Sequence, residues 1–400
     1  MQKNKNENKI RIFITGTWLS SSNIGDNAIA SGIRKTFNER YPTEITALTS
    51  NPERVKKALG INALRFKDNP FKVINAIRKS DYFLFTGGTP FYDDFVHMSY
   101  FSCLALSAFI FNVPVIVFGI TLRSLTKMYS KLFLNLIASL SIYFGVREYD
   151  SQNKAKEILA KKLHSKIRIM PDLAFQLEYK SENQRCINNQ KEINSKDFVV
   201  ICPKTFESTK YFQKSHHNEK YSKDDIENYI NSLVKITDWL IRKKNMNVVF
   251  FPMHIHEPDD DRVVGRKVLN RISDNNIKNN IFLIDDQYGP SDALCFFGKA
   301  KMVIGVRFHS VLLSIISGTP PVSFGYSTKN KSLMDLFNMQ SSAYTVHEMD
   351  FNLAKKAILE TLTNEKRISE NMLKKVELLR DVFKNELNMI LDKTKYTSYE

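Results

Sequence analysis

Cysteine is scarce in this chain: four among 400 residues, Cys103, Cys186, Cys202 and Cys295, with no metal-like spacing. That scarcity argues against a disulfide-built scaffold and fits a reducing compartment. Acid is in deficit too, with 42 Asp and Glu against 58 Lys and Arg, a formal net charge of +16. The balance favours acidic partners: anionic substrates, a lipid surface or nucleic acid. No zinc-finger or RNA-binding signature and no long basic block occurs, so nucleic acid is set aside. Much of the excess is scattered lysine that serves solubility.

A long unbroken apolar run is also missing. Phe95–Leu122 carries no charge, but Asn112, Val113 and Pro114 interrupt it, and the following VPVIVFGI is β-branched. The segment is predicted as a buried helix and then a buried parallel strand, not a membrane span. The N-terminal MQKNKNENKIRIFITG lacks the apolar core of a secretory signal, and the expected location is cytoplasmic. Neither an internal repeat nor a low-complexity segment is found.

What is present is alternation. Strand signals at Ile10–Thr15, Tyr82–Thr86, Val115–Gly119, Leu140–Val146 and Ile167–Met170 are interleaved with helical periodicity at Asn27–Arg40 and Asp150–Lys162. The polar stretch Glu178–Lys196 has no apolar period and reads as a linker. Strands then resume at Phe198–Cys202, Val248–Phe251, Ile281–Leu283, Met302–Val306 and Pro321–Gly325, with a helix at Lys223–Lys243 and another ending at Ser317 before Gly318. Met372, Val376, Leu379, Phe383, Leu387 and Ile390 recur at helical spacing in the tail. The pattern predicts an α/β protein of two Rossmann-like parallel-sheet domains in a glycosyltransferase-B-like arrangement. Its expected parts are 1–177, a linker 178–196, 197–362, and a C-terminal helix and tail 363–400.

In open parallel sheets ligands sit beyond the carboxyl ends of the strands, so chemistry is sought there. Ser22-Asn23-Ile24-Gly25-Asp26-Asn27 follows the first strand: Gly25 allows close approach, and Asp26 is either a base for a hydroxyl or a helix N-cap. Gly87-Gly88 and the pair Asp93, Asp94 follow another strand, without the spacing of a Walker or Rossmann loop. They offer amides and carboxylates to a sugar, or else a tight turn. Arg307 and His309 follow Met302–Val306; an Arg fork grips phosphate or carboxylate, and His can donate to the same anion or move a proton. If strand geometry persists, the two side chains project the same way. Lys204 occupies an equivalent strand end, as an added positive charge or as a solvated lysine. Arg147 lines the same edge or forms a structural ion pair. His254, His256 and Asp259–Asp261 read as a solvated turn rather than a metal site.

In their order these motifs resemble the polysaccharide pyruvyl transferase family. Gly25-Asp26-Asn27 is similar to its Gly-Asp-Asn/Glu element, Gly87-Gly88-Thr89 to its triple glycine, and Val146-Arg147-Glu148 with Ser151 to its Val-Arg-acid element. Pro171-Asp172 is similar to its Pro-Asp pair, and Arg307-Phe308-His309 to its Arg-X-His element. Thr89 replaces a glycine, and Lys204 stands where many members carry arginine. The resemblance implies transfer of the enolpyruvyl carbons of phosphoenolpyruvate, a co-substrate, onto two hydroxyls of one sugar, with no cofactor or metal. It implies His309 as proton donor or phosphate ligand, Arg307 as anion clamp and Asp26 as base. Lys204, Gly25, Asn27, Gly87, Gly88, Asp93 and Arg147 would line the substrates, with the acceptor on the N-terminal domain and phosphoenolpyruvate on the C-terminal one. The acceptor could be lipid-linked, with peripheral contact at the inner membrane face through the net charge and the aromatic stretch Phe91–Phe101. Two readings stay open beside it: a glycosyltransferase using a nucleotide-activated sugar, and a catalytically silent glycan-binding relative.

Overall fold

The computed structural model describes residues 9–16, 19, 23–180, 192–206 and 221–396, apart from the side chains of 392–396. Ser22, Cys186, the middle of the expected linker (181–191) and both chain ends lie outside them. The chain forms two units: Met1–Ser20, Asp26–Gln176 and Leu378–Glu400 make the first, Ser21–Gly25 and Leu177–Glu377 the second.

The first unit is built on seven strands: β1 (Ile10–Thr15), β2 (Thr43–Leu48), β3 (Asn62–Leu64), β4 (Tyr82–Thr86), β5 (Val115–Ile120), β6 (Ser141–Val146) and β7 (Ile167–Ile169). They pair in the order β3-β2-β1-β4-β5-β6-β7, every pair parallel. Alternation along the strands explains why. Phe13, Phe83, Phe85, Val115 and Val117 enter one core while Ile12, Ile14, Leu84, Ile116 and Phe118 enter another. Both faces are therefore buried and the strands read as continuous apolar runs.

The second unit carries β8 (Phe198–Cys202), β9 (Asn247–Phe250), β10 (Ile281–Leu283), β11 (Met302–Gly305), β12 (Pro321–Gly325) and β13 (Ala343–Thr345). Their order is β10-β9-β8-β11-β12-β13, again all parallel. Both sheets thus wind outward one way from their first strand and then cross to its other side. The crossing lies between β1 and β4 in one and between β8 and β11 in the other, where doubly wound sheets hold their ligands.

Four expectations change. The sequence pattern predicts neither β2 nor the edge strands β3 and β13: β3 and β13 have three residues each, half-buried or exposed, too short for a periodic signal. The helix Phe95–Ile110 is buried on one side only, since Val96 is 75% and Ile110 64% exposed. The helix Glu365–Tyr396 is no separate tail, because Phe383, Leu387, Ile390 and Leu391 complete a core of the first unit. Cys103 and Cys202 are free thiols, but Cys295 is disulfide-bonded. One such bond does not make the scaffold; the apolar cores do.

Candidate active site

At the crossing point of the second sheet, β8 leads into Pro203-Lys204-Thr205-Phe206 and β11 into Val306-Arg307. The strand stops at Gly305, where a Cβ would press on Ser310 Oγ at 2.7 Å. Arg307 then becomes the N-cap of the helix Phe308–Ile316. Strand geometry does not persist, so the Arg307 and His309 side chains are aimed by different contacts.

Arg307 is aimed by Asp261. Its Nε and Nη2 donate to the two Asp261 carboxylate oxygens at 2.8 Å each, and Nη2 donates to the Asp259 carbonyl at 3.2 Å. Asp261 is wholly buried and also accepts the amides of His254 (3.0 Å) and Met253 (3.2 Å). Burial works against the Arg307 charge, yet the Asp261 carboxylate raises its pKa above the ordinary value. Among the described residues these bonds leave Nη1 for a ligand, so the fork is spent within the protein and one edge remains for an anion.

Lys204 is 1% exposed, not a solvated lysine. Its Nζ lies 3.3 Å from Asp259 Oδ1 and within 5.6 Å of the Phe206 and 5.3 Å of the Tyr326 ring centroids. Burial, followed by the charge of Arg307, lowers its pKa to about 8 despite Asp259 and Asp261. The Asp259 side chain is 31% exposed, the wetter member of that pair. His254 is pushed down to about 4 by burial and by Arg307, so it is neutral at physiological pH.

His309 is aimed by Gly25. A Cβ built on Gly25 would fall inside the imidazole, 2.8 Å from His309 Cβ, so no side chain fits there. Gly25 is itself held by an Asn23 Oδ1 bond to its amide at 2.8 Å, and Ile24 N–H donates to Met253 O at 3.0 Å. Two motifs almost three hundred residues apart in the chain thus meet as backbone against ring.

In the first unit, Asp26 and Asn27 lie in the first turn of the helix Ile24–Asn38 and are 8% and 4% exposed. A carboxylate there is favoured by the helix dipole. Asn27 Oδ1 is buried without a hydrogen-bond partner among the described residues. Gly87 has φ of +102°, and Gly88 faces open space on its Cβ side. Asp93 turns to the protein: it accepts Thr126 N and Oγ1, both at 2.8 Å, and Lys127 N at 3.3 Å. Asp94 caps the helix Phe95–Ile110 through His97 N at 2.9 Å. Arg147 is committed to the fold, with Nη1 on Asp172 at 2.7 Å and Nε on the Gly119 carbonyl at 2.5 Å. Ser151 Oγ accepts the Leu122 amide and donates to Glu148, so the Val146-Arg147-Glu148…Ser151 and Pro171-Asp172 elements together form one internal clamp.

A family model described as polysaccharide pyruvyl transferase matches residues 23–328, from the segment at Gly25 to beyond Arg307 and His309. The chain belongs to that family. No curated protein sequence matches it. The fold is that of glycosyltransferase-B-type enzymes and epimerases. S. aureus MnaA in its UDP co-structure is 13% identical, with 96% of this chain and 97% of that one covered at a TM-score of 0.56. Anabaena HepE in complex with UDP-glucose is 10% identical, covering 97% and 99% at 0.56. UDP-GlcNAc 2-epimerase from Methanocaldococcus jannaschii is 14% identical, covering 94% and 99% at 0.57.

In this member of the family the sequence reading missed the acid partners. Asp259–Asp261 looked like a solvated turn, yet each carboxylate meets a cation: Asp259 Lys204, Asp260 Arg262 at 2.7 Å, Asp261 Arg307. Among the described residues no group of three His, Cys, Asp or Glu is placed to hold a metal ion. The available signal was position, since the run lies in the loop after β9, beside β8. Tyr229, whose hydroxyl accepts the Lys204 amide at 3.1 Å, sits inside a long amphipathic helix and gave no signal.

Proposed function

We propose that this transferase uses phosphoenolpyruvate to form a pyruvate ketal on a sugar of a surface polysaccharide or its precursor, in the cytoplasm. The observation that carries the reading is the buried Lys204–Arg307 cation pair at the crossing point of the second sheet, with His309 two residues on. Two carboxylates already balance these cations, so an incoming phosphate or carboxylate replaces the wetter Asp259 beside Lys204 instead of adding to a bare positive site. Arg307 Nη1 takes a second anionic oxygen, and the helix start at Phe308 adds its dipole.

In the reaction the methylene carbon of phosphoenolpyruvate accepts a proton and a sugar hydroxyl oxygen attacks the adjacent carbon. The hydroxyl proton passes to a base, which we assign to Asp26. Phosphate leaves with the electrons of its carbon–oxygen bond, and a second hydroxyl of the same sugar closes the ketal, its proton leaving with phosphate. His309 is the assigned proton donor; its ring position is fixed by Gly25, which suits a group that must meet one carbon atom.

A second reading has its own support: the structural neighbours MnaA and HepE bind UDP and UDP-glucose. Incubating the protein with phosphoenolpyruvate and galactose-, mannose- or glucose-type acceptors separates the two. Phosphate release with a new methyl resonance on the sugar is expected. No release, together with saturable UDP binding, would replace the proposal with a nucleotide-sugar enzyme; binding of sugar alone would leave a silent relative.

A further inference from the structure

The helices Phe95–Ile110 and Met128–Leu140 lie side by side on the outside of the first sheet. Phe95 meets Tyr129 at 5.5 Å and Phe133 at 5.6 Å between ring centroids. Their inner faces are ordinary core, with Met98, Phe101, Leu104 and Ala105 on one and Leu134, Ile137 and Ala138 on the other. Phe91 is core as well, so the aromatic stretch Phe91–Phe101 is not as a whole a surface.

The outer faces are apolar too. Val96, Cys103, Leu106 and Ile110 follow one another at helical spacing and are exposed, as are Met128 (70%), Leu132 (63%) and Leu136 (38%). Monomeric soluble proteins rarely leave so extended an apolar face to water. No helix among the described residues is long and apolar enough to cross a membrane. Acid is confined to the edge of the face, where Asp93 and Asp94 accept backbone amides at the starts of the two helices; no Asp or Glu occurs between Asp94 and Glu148, while Lys127 and Lys131 stand at the start of the second helix. On the adjoining helix Pro70–Arg78, Phe71 is 87% exposed beside the exposed Lys72.

We propose that this two-helix face docks on the anionic surface of a lipid bilayer. Apolar side chains enter the headgroup boundary while the flanking lysines meet lipid phosphates, the division of labour of interfacial helices. A second copy of the chain is a poorer occupant, because self-association would bring Lys127 and Lys131 toward their own kind, while the nearest carboxylates, Asp93 and Asp94, already accept amides of the chain itself. The inference does not depend on the pyruvyl transfer chemistry.

Sedimentation of the full chain with vesicles of equal phosphatidylcholine and phosphatidylglycerol tests it. Binding is expected at low salt and should weaken as salt rises. Ile110→Ser with Leu132→Ser should lower the vesicle affinity about tenfold or more, the burial of two apolar side chains being lost. Lys127→Glu with Lys131→Glu should weaken binding at low salt only. Matching melting curves confirm that these surface variants stay folded. Cys103, an exposed free thiol on the face, offers a second measurement: an environment-sensitive dye there should shift to the blue on vesicle addition. Wild-type protein that ignores these vesicles at low salt, or apolar variants that bind as well as wild type, overturns the proposal. So does a wild-type dimer that the apolar variant converts to monomer, which makes the face an interface between copies.

Discussion

Lys204, Arg307, His309 and Gly25 differ in how far each is tied to stability, and substitutions can separate these roles. Arg307→Ala strands the buried Asp261 carboxylate and should cost ~3–5 kcal/mol along with activity. Arg307→Lys should also be impaired, since a point charge cannot span both Asp261 oxygens. His309→Ala should instead keep the wild-type melting temperature while turnover falls by about 100-fold or more. If it retains turnover, the assigned donor is wrong. Gly25→Ala drives a methyl into the imidazole and should lower kcat by about 100-fold through displacement of His309. Lys204 behaves oppositely: burial lowers its pKa to about 8, so the folded protein binds its proton less well than the unfolded chain does. Its charge therefore opposes folding below about pH 8, and that cost is relieved as pH rises toward the ordinary lysine range. Lys204→Met should raise the melting temperature at neutral pH while nearly abolishing phosphate release. In the wild type, kcat/KM should fall as pH rises through about 8, and a rate flat to pH 10 would remove Lys204 from anion binding.

At the scale of elements, the clamp Arg147–Asp172 and the C-terminal helix hold the first unit together. Arg147 and Asp172 have side chains 5% and 2% exposed, so Asp172→Ala leaves a buried guanidinium unanswered and should cost ~3–5 kcal/mol. Phe383 packs on Phe118 at 5.3 Å between centroids, and Glu386 accepts the Tyr143 hydroxyl at 2.8 Å. Phe383→Ala should cost ~3–5 kcal/mol by cavity formation, read as a shift in urea midpoint with unchanged slope. A shift below ~1 kcal/mol would mean the helix end contributes little to that core.

For the whole molecule, the acid deficit and the pairing of Asp259, Asp260 and Asp261 with cations bear on metal dependence. Each carboxylate that could bind a divalent ion in that run already neutralises a side-chain cation. Turnover with phosphoenolpyruvate should therefore survive excess chelator. Complete loss restored by one metal would return His254, His256 and Asp259 to consideration as ligands.

The sequence by itself determined the two-domain α/β class and the bounds of β1, β4, β8 and β12, because strands largely buried on both faces leave mostly apolar runs whatever their neighbours are. It also marked Gly25, Lys204, Arg307 and His309, since strand-end positions in parallel sheets are where backbone and side chains are left to ligands. Only the tertiary structure decided what these residues do to one another. Asp261 is far from Arg307 along the chain, and no periodicity links a loop acid to a strand-end arginine. The same holds for Gly25 against His309 and for Arg147, which the fold turns inward to Asp172. Burial depth was decided there too, and with it the pKa of Lys204: a lysine beside a strand reads alike in water or in a dry pocket until the surrounding rings are placed.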